Sequence, residues 1–322
     1  MTKTDQPDMT LPEPFQAALR TEAVQWNGSY YQVTVEQDSR AEQTWEALAG
    51  DDPIVAAAAS PRGDPFVKLP GWLDEELFSG VVLDAGCGYG RVAIPLLERQ
   101  ADLHLIGVDS SAHMLDYFGQ LAGEHGVESR ICLIKSDLSD IPLHDHSVDQ
   151  VITSAVLLHN AYPATEAIVR ELFRCLKPGG TAVFESSFPN LMTLNGVQKL
   201  IYASLRGGRN GPVRPYSRDR VRNLLTPYCD SIDIQGNGIT VVPNLTGLKI
   251  ARLTNLTRGI NRRLKRQPAL VKLAERSGLL VTMWQVRARK RSSHTEPRFT
   301  CPSPCGTIQV SNSGTTLTEE QT

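Results

Sequence analysis

The chain has 322 residues, 41% hydrophobic and 21% charged, enough apolar content to bury one large core or a core with an appended lid. A formal net charge of -2 and a pI near 6.4 give the molecule as a whole no electrostatic reason to seek nucleic acid or an anionic membrane. The start carries prolines and acids rather than an apolar signal region, and no run approaches the ~20 apolar residues of a spanning helix, so a cytoplasmic protein is expected.

Residues 1–75 mix prolines, acids and aromatics, with weakly helical stretches at Ala41 to Leu48 and Ile54 to Ser60 and no strong strand alternation, and read as an N-terminal cap. From 76 to 291 the pattern is that of one domain. Apolar strand runs at Val81–Leu83, Leu103–Val108, Arg130–Ile134, Gln150–Ser154 and Thr181–Glu185 alternate with helical periodicity at Arg91–Arg99, Ala112–Gly123 and Thr165–Leu176. That alternation predicts an α/β fold, a doubly wound, mostly parallel sheet with helices on both faces. Two late strands, Ser231–Gln235 and Leu279–Arg287, lack a crossover helix of the earlier kind, so the last strand is expected to be antiparallel. Between them lies an insertion of about 238–278, and a polar tail from 292 to 322 reads as disordered. The cysteines at 87, 132, 175, 229, 301 and 305 are scattered and suggest neither a disulfide framework nor a metal site.

The strongest motif is Val81-Val82-Leu83-Asp84-Ala85-Gly86-Cys87-Gly88-Tyr89-Gly90-Arg91, followed by Gly107-Val108-Asp109. Glycines between a strand and a helix let the backbone approach a ligand and aim free amides of the helix start at it. The spacing is G-x-G-x-G, whereas the dinucleotide fingerprint is G-x-G-x-x-G, and an acid at Asp84 would repel a diphosphate but suit an ammonium group. A nicotinamide oxidoreductase is therefore disfavoured.

Leu83 to Gly90 resembles the first motif of class I S-adenosylmethionine-dependent methyltransferases, and three further segments agree in order and spacing with the type 11 group of that family. Gly107 to Ser111 resembles the segment whose acid, here Asp109, holds the cofactor's ribose hydroxyls, with Ser110 beside it and Met114 flanking the adenine. Ser136-Asp137-Leu138 resembles the segment whose acid accepts from the adenine amino group. Leu176-Lys177-Pro178-Gly179-Gly180-Thr181 resembles the turn into the fifth strand. The resemblance covers Val81 to Glu185 and implies S-adenosyl-L-methionine as cofactor, bound by Asp84, Gly86, Cys87, Gly88, Gly90, Asp109, Ser110, Met114, Asp137, Leu138 and Ser154, with no metal. Each acid has a plainer reading: Asp109 as a helix cap, Asp137 as a turn aspartate, Asp84 as a strand-end cap.

A sulfonium methyl is already activated, so the protein has mainly to align a nucleophile and exclude water. His159, just past the fourth strand, is the candidate catalytic base for a hydroxyl acceptor, or else a packing histidine. The Asp/Asn-Pro-Pro-aromatic tetrapeptide of nucleobase amino methylases is replaced by Thr153-Ser154-Ala155-Val156. Trp26, Tyr30 and Tyr31 form an aromatic cluster that could close over the substrate or pack in the core. Arg214 to Asp219 reads as a turn and helix start with Ser217 as N-cap. Lys249 to Arg291 holds thirteen Lys/Arg against one acid, Glu275, which would suit a peripheral anionic partner or a solvated face; with Trp284 as its one aromatic, nucleic acid is not expected there. Methyl transfer to a small molecule leads. A macromolecular methyltransferase docking through 249–291 and a non-catalytic cofactor-binding module are the alternatives.

Overall fold

The computed structural model describes residues 11–34, 78–190, 214–239, 259–260, 263–264, 266–277 and 281–292. Five strands form the parallel centre: β3 (Gly80–Ala85), β4 (Leu103–Asp109), β5 (Ile131–Lys135), β6 (Val148–Ser154) and β7 (Leu176–Pro189). They lie in the order β5-β4-β3-β6-β7, reversing direction of growth at β3. At the far edge β9 (Val281–Lys290) runs antiparallel between β7 and β8 (Cys229–Ile239), so the expected antiparallel last strand is present.

The central strands are apolar on both faces because helices cover both. On β3, Val82 packs into one core with α2 (Ala93–Arg99) and α3 (Ala112–Glu124), through Leu96, Leu97, Leu115 and Phe118. The next residue, Leu83, packs into a second core with α1 (Glu13–Ala18), α4 (Tyr162–Cys175) and α5 (Arg218–Leu225), through Phe15, Val169, Leu172 and Val221. Caps follow the local chemistry. Ser111 starts α3 by accepting from the Met114 amide, Pro163 lies in the first turn of α4, and Ser217 accepts from the Arg220 amide as its sequence context predicts. The helix after the glycine turn opens at Ala93, two residues later than the apolar periodicity suggests.

The N-terminal segment departs from expectation. β1 (Val24–Trp26) and β2 (Tyr31–Val33) form an antiparallel hairpin, and β2 pairs in parallel with β5, extending the sheet. Each strand has three residues, too few to show a period-2 alternation. The hairpin explains two of the aromatics: Trp26 and Tyr31 pair across it with ring centroids 5.0 Å apart, while Tyr30 is buried in the α2–α3 core. The Asn27 carboxamide accepts from the Ser29 and Tyr30 amides to close the turn. The helices expected at 41–48 and 54–60, most of the 238–278 insertion and the tail beyond Ser292 lie outside the described residues.

Candidate functional site

The glycine turn sits at the carboxyl end of β3, where the sheet's growth reverses and ligands of open α/β sheets bind. Gly86, Gly88 and Gly90 all have positive φ, 76°, 52° and 80°. At Gly86 a Cβ would lie 2.3 Å from the Val156 methyl, so the glycine is needed for packing as well as conformation. At Gly88 a Cβ would meet nothing within 4 Å, so this Cα faces open space.

The glycine amides of the turn itself are occupied, ahead of the helix start whose amides the sequence points at a ligand. Gly86 and Cys87 donate to the Val108 carbonyl, Gly90 donates to the Cys87 carbonyl, and Gly88 donates to Asp109 Oδ2 at 2.8 Å. The turn is thus bolted to β4, and its contribution to a ligand is close approach of backbone at Gly88 rather than a nest of donors. Cys87 is buried beside Gly107, and burial, with Asp109 and Asp84 nearby, holds its thiol well above the usual range, so it packs rather than reacts.

Asp84 is the exceptional group. It is 2% exposed, and its Oδ2 has no hydrogen-bond partner. Burial first, and the Asp109 charge second, push its carboxyl up to about 7, with Arg91 opposing. A strand-end cap would have bonded the turn amides; those are taken by other acceptors, and the orphaned oxygen remains for a ligand that brings a donor.

Asp109 ends β4. Besides Gly88 it accepts from the Ser111 amide at 3.0 Å, while Ser111 itself is the N-cap of α3. These bonds fix the orientation of the acid at the end of β4. Ser110 lies in the same link, and Met114 is half-buried against the α2–α3 core. Asp137 lies in the turn after β5, where its Oδ1 accepts from the Ser139 amide and hydroxyl at 2.8 and 2.7 Å, and Leu138 packs against the other core. His159 closes a 3-10 turn, Leu157–His159, after β6, with its amide donating to the Val156 carbonyl.

Sequence reasoning missed Glu185, Arg91 and Gln285. Val82, Ile152 and Val183 share one core, so two residues further along their strands Asp84, Ser154 and Glu185 share that face. Ser154 donates to Glu185 Oε2 at 2.5 Å and accepts from the Arg91 guanidinium at 2.9 Å, while the Ser186 hydroxyl donates to the other Glu185 oxygen. Ser154 therefore joins α2's approach to β7. Ala155 and Ser186, which follow Ser154 and Glu185, have φ of 60° and 45°, a left-handed conformation that non-glycine residues hold at a cost of about 1 kcal/mol or more and that clusters at functional sites. The available signal was a charged residue at the inward position of the apolar run Ala182-Val183-Phe184.

A nucleoside-cofactor domain of the methyltransferase class is what this sheet order, glycine turn and set of strand-end acids define. Residues 82–180, about a third of the chain, match the family model described as a methyltransferase domain. Among similar curated proteins, the sterol 24-C-methyltransferase of Neurospora crassa is 31% identical over 100 residues, 31% of this chain and 26% of that protein. Methyltransferase GfsG of Streptomyces halstedii is 27% identical over 124 residues, 36% of this chain and 44% of that protein. The chain spans about a quarter of the length of the sterol methyltransferases it matches, 26% in the case of the Aspergillus fumigatus enzyme. A solved structure of Haemonchus contortus phosphoethanolamine N-methyltransferase 2 in complex with S-adenosyl-L-methionine is 16% identical with a TM-score of 0.54, covering 82% of this chain and 62% of that one, which shows a shared fold. The residues at this site fit S-adenosyl-L-methionine, the ligand of that solved structure. The orphaned, buried Asp84 oxygen suits an ammonium, and the open Gly88 Cα admits a ligand against the backbone.

Proposed function

We propose that this protein transfers a methyl group from S-adenosyl-L-methionine to a small-molecule acceptor, a metabolite, lipid precursor or sugar, by in-line displacement. The observation that carries the reading is the buried Asp84 carboxylate oxygen with no partner, set beside a glycine turn at the point where the sheet's growth reverses. In this reading Asp84 takes the cofactor's amino group and Asp109 its ribose hydroxyls. Asp137 and Leu138, with Met114, meet the adenine, and Ser154 acts from behind through Arg91 and Glu185. The bound cofactor supplies a methyl already activated by its sulfonium. The chain has then to hold the acceptor atom in line and keep water out. Where the acceptor is a hydroxyl, His159, on the turn that follows β6, would take its proton in this reading.

The similar proteins are a sterol 24-C-methyltransferase and a phosphoethanolamine N-methyltransferase, which favours a small acceptor. The reading that a macromolecule docks on the basic segment draws less support. On β9, Lys290 donates to the Phe173 and Leu176 carbonyls and Arg289 to Gly179, and just past the strand Arg291 donates to Thr226 and Cys229, so these cations fasten neighbouring elements rather than face a partner. The test is release of S-adenosylhomocysteine from the purified protein supplied with S-adenosylmethionine and a cell extract split by ultrafiltration. Stimulation by the filtrate is expected. Stimulation by the retained macromolecules alone would move the acceptor to the second reading.

A further inference from the structure

Resting on that reading, we infer that Glu185 and Gln285 form the acceptor side of the site and that the acceptor is an amine, which becomes cationic as it is methylated.

Glu185 is 6% exposed, a buried carboxylate whose two bonded partners are the neutral hydroxyls of Ser154 and Ser186. Among the described residues no Lys, Arg or His nitrogen makes an ion pair with it, and Arg91 reaches it only through the Ser154 hydroxyl. Burying a carboxylate without a cation is costly, and such a group persists where a ligand brings the positive charge. Position says which ligand. Asp84, on β3, pairs with Ile152 of β6, whereas Glu185, on β7, pairs with Ser154 of β6 and so lies two strands from β3 and two residues nearer the strand ends. The two acids therefore serve separate parts of the site.

Gln285 supplies the second, independent observation. It is 7% exposed, and its Nε2 has no hydrogen-bond partner. On β9 it stands between Val286, paired with Phe184, and Trp284, paired with Phe188, so it faces the irregular stretch Glu185–Ser187. Phe184, Trp284 and Val286 all belong to the α1–α4–α5 core, which leaves Glu185 and Gln285 on the opposite face, with Gln235 paired beside Gln285 on β8. One side chain is a buried anion without a cation, its neighbour a buried donor without an acceptor. A ligand with an amine and a nearby hydroxyl, carbonyl or phosphate oxygen completes both.

The chemistry balances with nothing further. An ammonium proton leaves to water, and the nitrogen lone pair forms the N–C bond to the methyl. The S–C bond breaks with its pair going to sulfur, which turns from sulfonium to neutral thioether, and the positive charge now on nitrogen is relieved by loss of a second proton to water. Positive charge therefore moves from sulfur to nitrogen in the transition state. A preorganised carboxylate beside the nitrogen stabilises that displacement, as an oxyanion hole stabilises the reverse sign.

The probe is sinefungin, the S-adenosylhomocysteine analogue that carries an amino group where the transferred methyl would sit, titrated calorimetrically against S-adenosylhomocysteine. Wild type is expected to prefer sinefungin by about tenfold, and Glu185→Gln, which keeps the shape but not the charge and meets the two hydroxyls by accepting from one and donating to the other, to lose that preference while holding S-adenosylhomocysteine as before. No preference in wild type, or a preference unchanged in the variant, overturns the proposal and leaves the methyltransferase reading standing. Equal loss of both ligands would assign Glu185 to their shared amino-acid end and also overturn it. Binding of neither ligand by wild type would sink the methyltransferase reading itself. Should Glu185→Gln fail to fold, Glu185→Asp decides: the retained charge must retain a preference, and its absence contradicts the inference.

Discussion

At the scale of single residues, Asp84 makes the sharpest prediction. Its carboxyl is held at about 7 in the folded protein by burial and by Asp109, above the ordinary value of 3.8. The free protein therefore prefers the protonated acid: the stability this group contributes is full below 3.8 and is lost as pH rises through about 7. A ligand bearing an ammonium has the opposite preference. S-adenosylhomocysteine affinity should rise up to tenfold per pH unit from about pH 5.5 and level off above about 7, and Asp84→Asn should be weaker and flat, as titrations across that range would show. A flat wild-type profile would mean that Asp84 does not meet the amino group. The glycines make a matched pair. Gly86→Ala combines φ of 76° with a methyl clash on Val156 and should cost about 2–4 kcal/mol in urea unfolding. Gly88→Ala has φ of 52° but open space, and should cost about 1 kcal/mol while weakening cofactor binding by blocking close approach.

At the scale of elements, the connector from β5 to β6 is held by one side chain. Arg174, in the last turn of α4, donates to the Ile141 and Leu143 carbonyls and to the Glu171 and Asp145 carboxylates, and these acids raise its pKa beyond the ordinary arginine range. Arg20 donates to the same Ile141 carbonyl from the N-terminal side, and the Glu171 carboxylate accepts from the Ile141 amide. Arg174→Ala strands half-buried carbonyls and a carboxylate at once and should lower stability by about 2–4 kcal/mol in denaturant unfolding; a loss under about 0.5 would show that solvent replaces these contacts freely. Asp137 lies near the start of this connector, so in the proposed site the same variant should loosen the adenine side more than the methionine side.

The elements differ in how plainly they are written in the sequence, and the reasons are physical. β3 to β7 are legible because both faces are buried, which makes each strand an apolar run bounded by turn residues. The β1–β2 hairpin was not, since its short strands sit at an edge, where pairing with β5 decides structure more than local propensity does. Of the acids proposed to hold the cofactor, Asp84 and Asp109 stand out as strand-end charges near glycines, and Asp137 as a turn acid after a strand. Glu185 and Gln285 do not. They come from strands distant in sequence, and their meaning appears only when the β7–β9 register sets them together on one face. The hydrogen bonds within the glycine turn were not legible either, because Val108 and Asp109 of the neighbouring strand supply acceptors that no local spacing reveals.

At the scale of the whole molecule, a sheet whose parallel centre fixes a cofactor turn is continued at one edge by antiparallel strands that bring Gln285 and Gln235 alongside it. The thirteen cations between Lys249 and Arg291 balance an acidic remainder, and those on β9 and just past it tie the sheet to α4 and to the turn after α5. Among the described residues no helix is long and apolar enough to cross a membrane. The account's central claim is that this scaffold binds S-adenosylmethionine through its strand-end acids. The most direct measurement is calorimetric titration of wild type and Asp109→Ala with S-adenosylhomocysteine, with NADH titrated in parallel. Binding by wild type that collapses in the variant, with no NADH binding, is the predicted result; no S-adenosylhomocysteine binding, or binding indifferent to Asp109, would contradict it.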